Sequence, residues 1–175
     1  MTLFVPTKSL SLQVKTAADW LAKSATWRSV AGGAESAAAK RIIFGIGGTT
    51  AAGTYCAADG TTQTAAAPLA IVSTGSHERG PAGAGTFDRQ WEVVIDLSLP
   101  GWSGVGATER DHYLYAVDLV AGILDDLELA RMSGGLAWTR ARLTSPPIIA
   151  PPTAGLPSWL TGTATAQLTL EGSRG

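Results

Sequence analysis

Between Gln90 and Leu99, apolar residues recur at every second position: Trp91, Val93, Ile95, Leu97 and Leu99, set against Gln90, Glu92, Asp96 and Ser98. Successive side chains of a strand point to opposite faces, so this segment must be a strand with one face in a core. A Pro100-Gly101 turn follows. The pattern then changes to a helical period over residues 108–132. Tyr113, Val117, Val120, Leu124 and Leu127 form the predicted seam, widened by Ala116, Leu119, Ala121 and Ile123. Tyr115, Asp118, Asp125 and Asp126 fall on the opposite face, and His112, in the first turn beside Asp111, reads as a surface residue. Thr108 and Asp111 have the spacing of a capping box, with Asp in place of the usual Glu or Gln. A strand feeding such a helix is the mark of an α+β domain.

The rest of the chain fits around this pair. Ser9 or Ser11 caps a first helix that runs to about Val30, with Leu10, Val14, Ala17, Leu21 and Ala25 on one stripe and Gly32-Gly33 as its stop. Trp20 and Trp27 lie on an adjoining face and read as core. Residues 41–46 and 68–74 predict two further strands, and residues 135–144 and 163–170 two more. Leu136, Trp138, Arg140 and Arg142 fall on one side of the first of these late strands, and Ala164, Ala166, Leu168 and Leu170 on the core side of the second. Three segments read as excursions: residues 47–67 and 75–86, poor in anchors, and the Pro-rich stretch 145–159, which does not suit a strand interior. The expected fold is a single α+β domain over 1–175. Its mainly antiparallel sheet has about five strands and two helices on one face, in the order α-β-β-β-α-β-β.

Composition narrows the function classes. The chain has 175 residues, enough for one core. Lys+Arg number 13 against Asp+Glu 14, so the basic surplus of a free-standing nucleic-acid binder is missing. Charged residues make up 15%, Asn is absent and Arg outnumbers Lys, a pattern that fits codon bias and also suits surfaces buried against partners. The single cysteine, Cys56, rules out an internal disulfide and any multi-thiolate metal site. The start lacks the pattern of a signal peptide, and no apolar run approaches the roughly 20 residues of a membrane span. The expectation is a protein that stays on the cytoplasmic side, with no membrane partner.

Catalytic signatures are missing. Residues 45–50 (GIGGTT) follow a strand but lack the Lys of a Walker loop and the third Gly of a dinucleotide loop. His77-Glu78 has no second His four residues on, and His112 is the only other histidine. Ser76, His77 and Asp88 can be drawn as a triad, but no Gly-x-Ser-x-Gly elbow accompanies them. Cys56 has no nearby cation to activate it. The expectation is a non-enzyme without cofactor or metal. Trp138, Arg140 and Arg142 form the one basic-aromatic cluster, suited either to stacking on single-stranded nucleic acid or to pairing with carboxylates at the sheet surface or a subunit boundary.

The succession of an N-terminal helix, an excursion, the strand PLAIV, the strand WEVVIDLSLP, the helix YLYAVDLVAGILDDLE and two closing strands resembles the tail terminator proteins of long-tailed bacteriophages and of gene transfer agents. The resemblance is one of topology and pattern over residues 10–170. It implies a structural virion protein in the tail or neck, assembled in the host cytoplasm. In that family a homo-oligomeric, hexameric ring caps the tail tube protein, halts its polymerisation and accepts the head–tail connector. DNA passes through the lumen without specific binding. The candidate interface residues are Trp102, Trp138, Arg140, Arg142, Ile148, Ile149 and Trp159, each aromatic being equally able to tuck into its own subunit. Other neck components (a head completion protein, an adaptor, a tube protein) belong to the same assembly class. A small α+β hydrolase and a nucleic-acid-binding module are the readings from other classes.

Overall fold

A computed structural model describes residues 10–45, 54–64, 67–81, 87–101, 108–132, 138–149 and 163–174. Trp102, Leu136, Trp159 and the parts 47–53, 65–66, 82–86 and 150–159 of the three predicted excursions therefore lie outside the described residues. The elements are α1 (Leu10–Lys23), α2 (Ala25–Val30), α3 (Glu35–Ala39), β1 (Ile42–Phe44), β2 (Thr54–Cys56), β3 (Thr62–Thr64), β4 (Leu69–Pro81), β5 (Phe87–Pro100), α4 (Glu109–Met132), β6 (Arg140–Ile149) and β7 (Thr163–Arg174).

The class is α+β. Five strands form one sheet in the order β1-β4-β5-β7-β6, and β2 and β3 form a separate hairpin. Every pair in the main sheet is antiparallel except β1 with β4. The alternation of β5 holds along its length: Trp91, Val93, Ile95, Leu97 and Leu99 are all buried. Ala164, Ala166, Leu168 and Leu170 of β7 are buried with them, together with residues of α1, α2 and α4, in one cluster. Both long helices thus contribute to the core on the same face of the sheet.

The long N-terminal helix predicted from the stripe is two helices. The break falls at Ser24, whose hydroxyl leaves α1 to cap α2 by accepting from the Trp27 N–H at 3.0 Å. Trp27 is fully buried and its indole N–H reaches the Ala38 carbonyl at 3.3 Å. Gly32 and Gly33 then turn the chain at positive φ into α3.

The inward seam of α4 also differs from the predicted one. It runs through His112, Ala116, Leu119, Val120, Ile123, Leu127 and Ala130, while Tyr113 is exposed. His112 is a buried residue, not a surface one, and burial pushes its pKa below the usual imidazole value. Its position is four residues before Ala116, on the same helical face, and that phase overrides the polarity of the side chain. At the start of α4, Thr108 and Asp111 exchange the reciprocal bonds of a capping box: Asp111 Oδ2 accepts from the Thr108 N–H at 2.9 Å and hydroxyl at 2.8 Å, and Thr108 Oγ1 accepts from the Asp111 N–H at 3.3 Å.

All three predicted excursions hold ordered structure. Within 47–67, residues 54–64 make a hairpin whose Tyr55 is buried with Ile43 and Ala57. The Tyr55 hydroxyl donates to the Lys40 carbonyl at 2.8 Å, and Ala58 N–H donates to the Ile42 carbonyl at 2.7 Å, so one aromatic anchors a segment made mostly of Gly, Ala and Thr. The segment 75–86 begins as strand: β4 continues to Pro81 through an irregularity between Thr74 and His77. A Cβ on Gly75 would stand 2.8 Å from Glu92 Cβ, which is why the close crossing needs glycine there. The Pro-rich stretch opens inside β6, with Pro146 and Pro147 between paired Ser145 and Ile148. Because β6 is the sheet's edge and its register shifts at Ser145/Ile148, the missing N–H groups interrupt no central ladder.

Candidate interaction surfaces

The face of the sheet opposite the helices is polar at its β5–β7–β6 end. Glu92 on β5 and Glu171 on β7 are direct cross-strand partners. Two like charges in that position repel. Arg142 on β6 resolves the conflict: its Nε donates to Glu171, and its Nη2 lies 3.6 Å from Glu92. Glu92 also accepts from the Ser76 hydroxyl at 2.6 Å and the Ser76 N–H at 3.1 Å. The Ser76 bonds, with Arg142 behind them, hold its carboxyl below the usual carboxylate range. Further along, Gln167 donates to Asp96 at 2.8 Å, and Thr144 and Thr169 share a hydrogen bond. A cleft of about 390 Å³ opens beside Ser76, Glu92, Thr139 and Glu171. Ser76 donates to Glu92, Thr139 donates to the Glu171 carbonyl and Arg142 engages both carboxylates, while the buried Trp91 Nε1 at the cleft has no partner; among the described residues no cluster of His, Cys, Asp and Glu is placed to hold a metal ion.

Two apolar surfaces lie at opposite ends of α4. At its start, Tyr113 (42% exposed) and Ile148 (56%) flank a shallow depression of about 570 Å³ shared by Glu109, Arg110, Pro147 and Ile149. Near its end, Leu129 (64% exposed) lies beside Trp20 and Lys23 around a second depression of about 320 Å³. Lys23 Nζ sits 5.1 Å from the Trp20 ring centroid, a cation–π contact that shields one side of the indole. From Tyr113 to Leu129 is about 24 Å along the helix at 1.5 Å per residue.

The predicted interface residues therefore separate. Ile148 and Ile149 come together with Tyr113 at one apolar surface. Arg142 belongs to the carboxylate network, and Arg140 is exposed at the start of β6. Trp138 is 3% exposed and part of the core, so it does not share a face with the arginines and offers no stacking platform. The triad positions do not converge either. The register puts His77 opposite Trp91 and Asp88 opposite Gly80, three residues further along, and the Ser76 hydroxyl is donated to Glu92. Cys56 is exposed on β2. The residues 46–50 of the glycine-rich loop lie outside the described residues. Sequence reasoning missed the Trp20–Leu129 surface. Its signal was a large apolar residue, Leu129, on the polar side of α4.

No family model and no curated protein matches the chain.

Proposed function

We propose that this chain is a structural assembly protein that closes into a ring on the end of a phage-type tail tube, blocks further tube growth and offers its other side to a head connector. The observation that carries this reading is the pair of dissimilar apolar surfaces at opposite ends of α4. A ring requires a heterologous contact, joining two different patches of each subunit. A surface around Ile148 and Tyr113 on one copy meeting a surface around Leu129 and Trp20 on the next satisfies that requirement. Two-fold dimers need only one self-complementary patch.

The polar sheet face supports the same reading. Glu92, Asp96 and Glu171 stand there with Arg142, which two of them engage, and with Arg140, the cross-strand partner of Glu171, so the carboxylates outnumber the guanidinium groups. Such a face does not neutralise phosphates, so it does not retain DNA by counterion release. The mechanism is steric: the ring covers the surface that the next tube subunit would use, and no bond is made or broken. The absence of a basic-aromatic surface at Trp138 takes the main support from the nucleic-acid reading.

Electron microscopy of the protein mixed with tail tubes tests the proposal. Density at a single end of each tube, with tubes of uniform length when the protein is present during assembly, is the expected result. Decoration along the tube wall, or none, overturns it.

A further inference from the structure

The two apolar surfaces of α4 carry opposite charges at their rims. Beside Leu129 stands Lys23, the last residue of α1, which is exposed and lines the depression with Trp20 and Asp126. Its Nζ lies 5.1 Å from the Trp20 ring centroid, so the ammonium is already held at the rim of the apolar patch before any partner arrives. Beside Tyr113 and Ile148 stands Glu109, the first residue of α4, which is also exposed, with Arg110 next to it. Among the described residues no carboxylate forms an ion pair with Lys23, and no base forms one with Glu109.

Each rim thus holds one acid and one base: Asp126 with Lys23, and Glu109 with Arg110. Asp126 is fixed in place by its bonds from Ser24 and Thr26. The two ways of laying one patch on the other are therefore unequal. One sets Lys23 against Glu109 and Asp126 against Arg110. The other sets Lys23 against Arg110 and Asp126 against Glu109, two repulsions at once. Like charges brought together across an interface cost more than a matched rim pair gains, so charge selects between the two arrangements.

We propose that Lys23 of one copy pairs with Glu109 of the next copy, and that this pair sets the register of the ring contact. The inference rests on the ring reading above and names the residues that decide how one surface lies on the other. The apolar centre, Leu129 and Trp20 against Ile148 and Tyr113, supplies attraction without direction. The rim pair supplies the direction.

Charge reversal on the full chain, followed by sedimentation, tests this. Lys23→Glu and Glu109→Lys each turn the pair into a repulsion, and each alone should raise the concentration needed for ring closure about tenfold or more. Lys23→Gln, which only removes the charge, should fall between wild type and Lys23→Glu. An equimolar mixture of Lys23→Glu and Glu109→Lys chains should assemble again, because every contact in a ring of alternating chains then joins one acid to one base. The double variant Lys23→Glu, Glu109→Lys should assemble by itself for the same reason. High salt should narrow all these differences, as it does for exposed charges. Unchanged melting curves for the single variants show that the fold is intact. Wild-type rings that are indifferent to both reversals overturn the pairing and leave the ring reading standing. So does a mixture that assembles no better than either single variant. A wild-type chain that stays monomeric at every concentration overturns both.

Discussion

Asp126, midway along the second half of α4, accepts a hydrogen bond from the Ser24 hydroxyl at 2.7 Å and another from the Thr26 N–H at 2.9 Å. Ser24 therefore serves two masters: it caps α2 with its oxygen and ties α2 to α4 with its proton. The orphan N–H groups at the start of a six-residue helix are met by a side chain a hundred residues away in sequence. The sharp break between α1 and α2 is thereby fixed in one geometry.

Asp126→Asn should destabilise the fold by about 1–2 kcal/mol, the range for lost caps and charged hydrogen bonds. Burial works against ionisation of Asp126, but the bonds from Ser24, Thr26 and Ala25 outweigh it and hold its carboxyl below the usual value of 3.8. The sign follows from that direction. A depressed folded-state pKa gives stability that is complete above the unfolded value and lost as pH falls through the folded one. Urea midpoints of wild type and Asp126→Asn should differ at pH 7 and converge as pH drops below about 3.8.

Gly122 faces the same joint one turn earlier. A Cβ there would stand 2.7 Å from Thr26 Oγ1 and 2.9 Å from Thr26 Cγ2. Gly122→Ala should cost about 1–3 kcal/mol from overpacking, although alanine favours an isolated helix by up to about 1 kcal/mol. Adding Thr26→Gly should recover part of the loss. A double-mutant cycle by denaturant unfolding reads the coupling, and additivity would show that the two sites do not meet.

The sequence showed the β5 strand and the span of α4 plainly because their burial follows from period alone. Trp91 to Leu99 alternate and are buried in that alternation. The phase of α4 was less legible. Tyr113 and His112 compete for the inward position, and polarity favoured the wrong one, since packing against β-sheet residues far away in sequence decides it. Tyr55 was the only anchor in a bland segment, so the hairpin of β2 and β3 left almost no periodic trace. Pro146 and Pro147 argued against a strand because their place at the sheet edge depends on topology. Of the surface residues, Ile148 and Ile149 stood out by hydrophobicity, whereas Trp138 had the same signal and went to the core.

Arg142 separates Glu92 from Glu171. Arg142→Ala should lower stability by about 1 kcal/mol at pH 7, a modest figure because the pair is partly exposed and screened. Glu171→Gln added to it should restore most of the loss by removing one of the two facing charges. Arg142 also helps hold the Glu92 pKa down, after the Ser76 bonds. The deficit of Arg142→Ala should therefore shrink as pH falls through the lowered Glu92 value and that carboxylate loses its charge. Thermal melts at pH 7 and pH 3 check both statements, and a deficit that persists at pH 3 would assign the effect to packing.

The two apolar surfaces of α4 predict a specific complementation. Ile148→Asp alters one surface and Leu129→Asp the other, and both side chains are more than half exposed, so each variant should keep its fold within about 0.5 kcal/mol. Each alone should fail to close rings, since every head-to-tail contact uses one good patch and one spoiled patch. Mixed together, they should form a one-to-one pair and stop there. The intact Leu129 surface of one variant meets the intact Ile148 surface of the other, and the remaining two surfaces are both spoiled. Sedimentation of the separate and mixed variants measures this. Full-sized assembly by either single variant, or no pairing in the mixture, would show that these two patches do not form the contact.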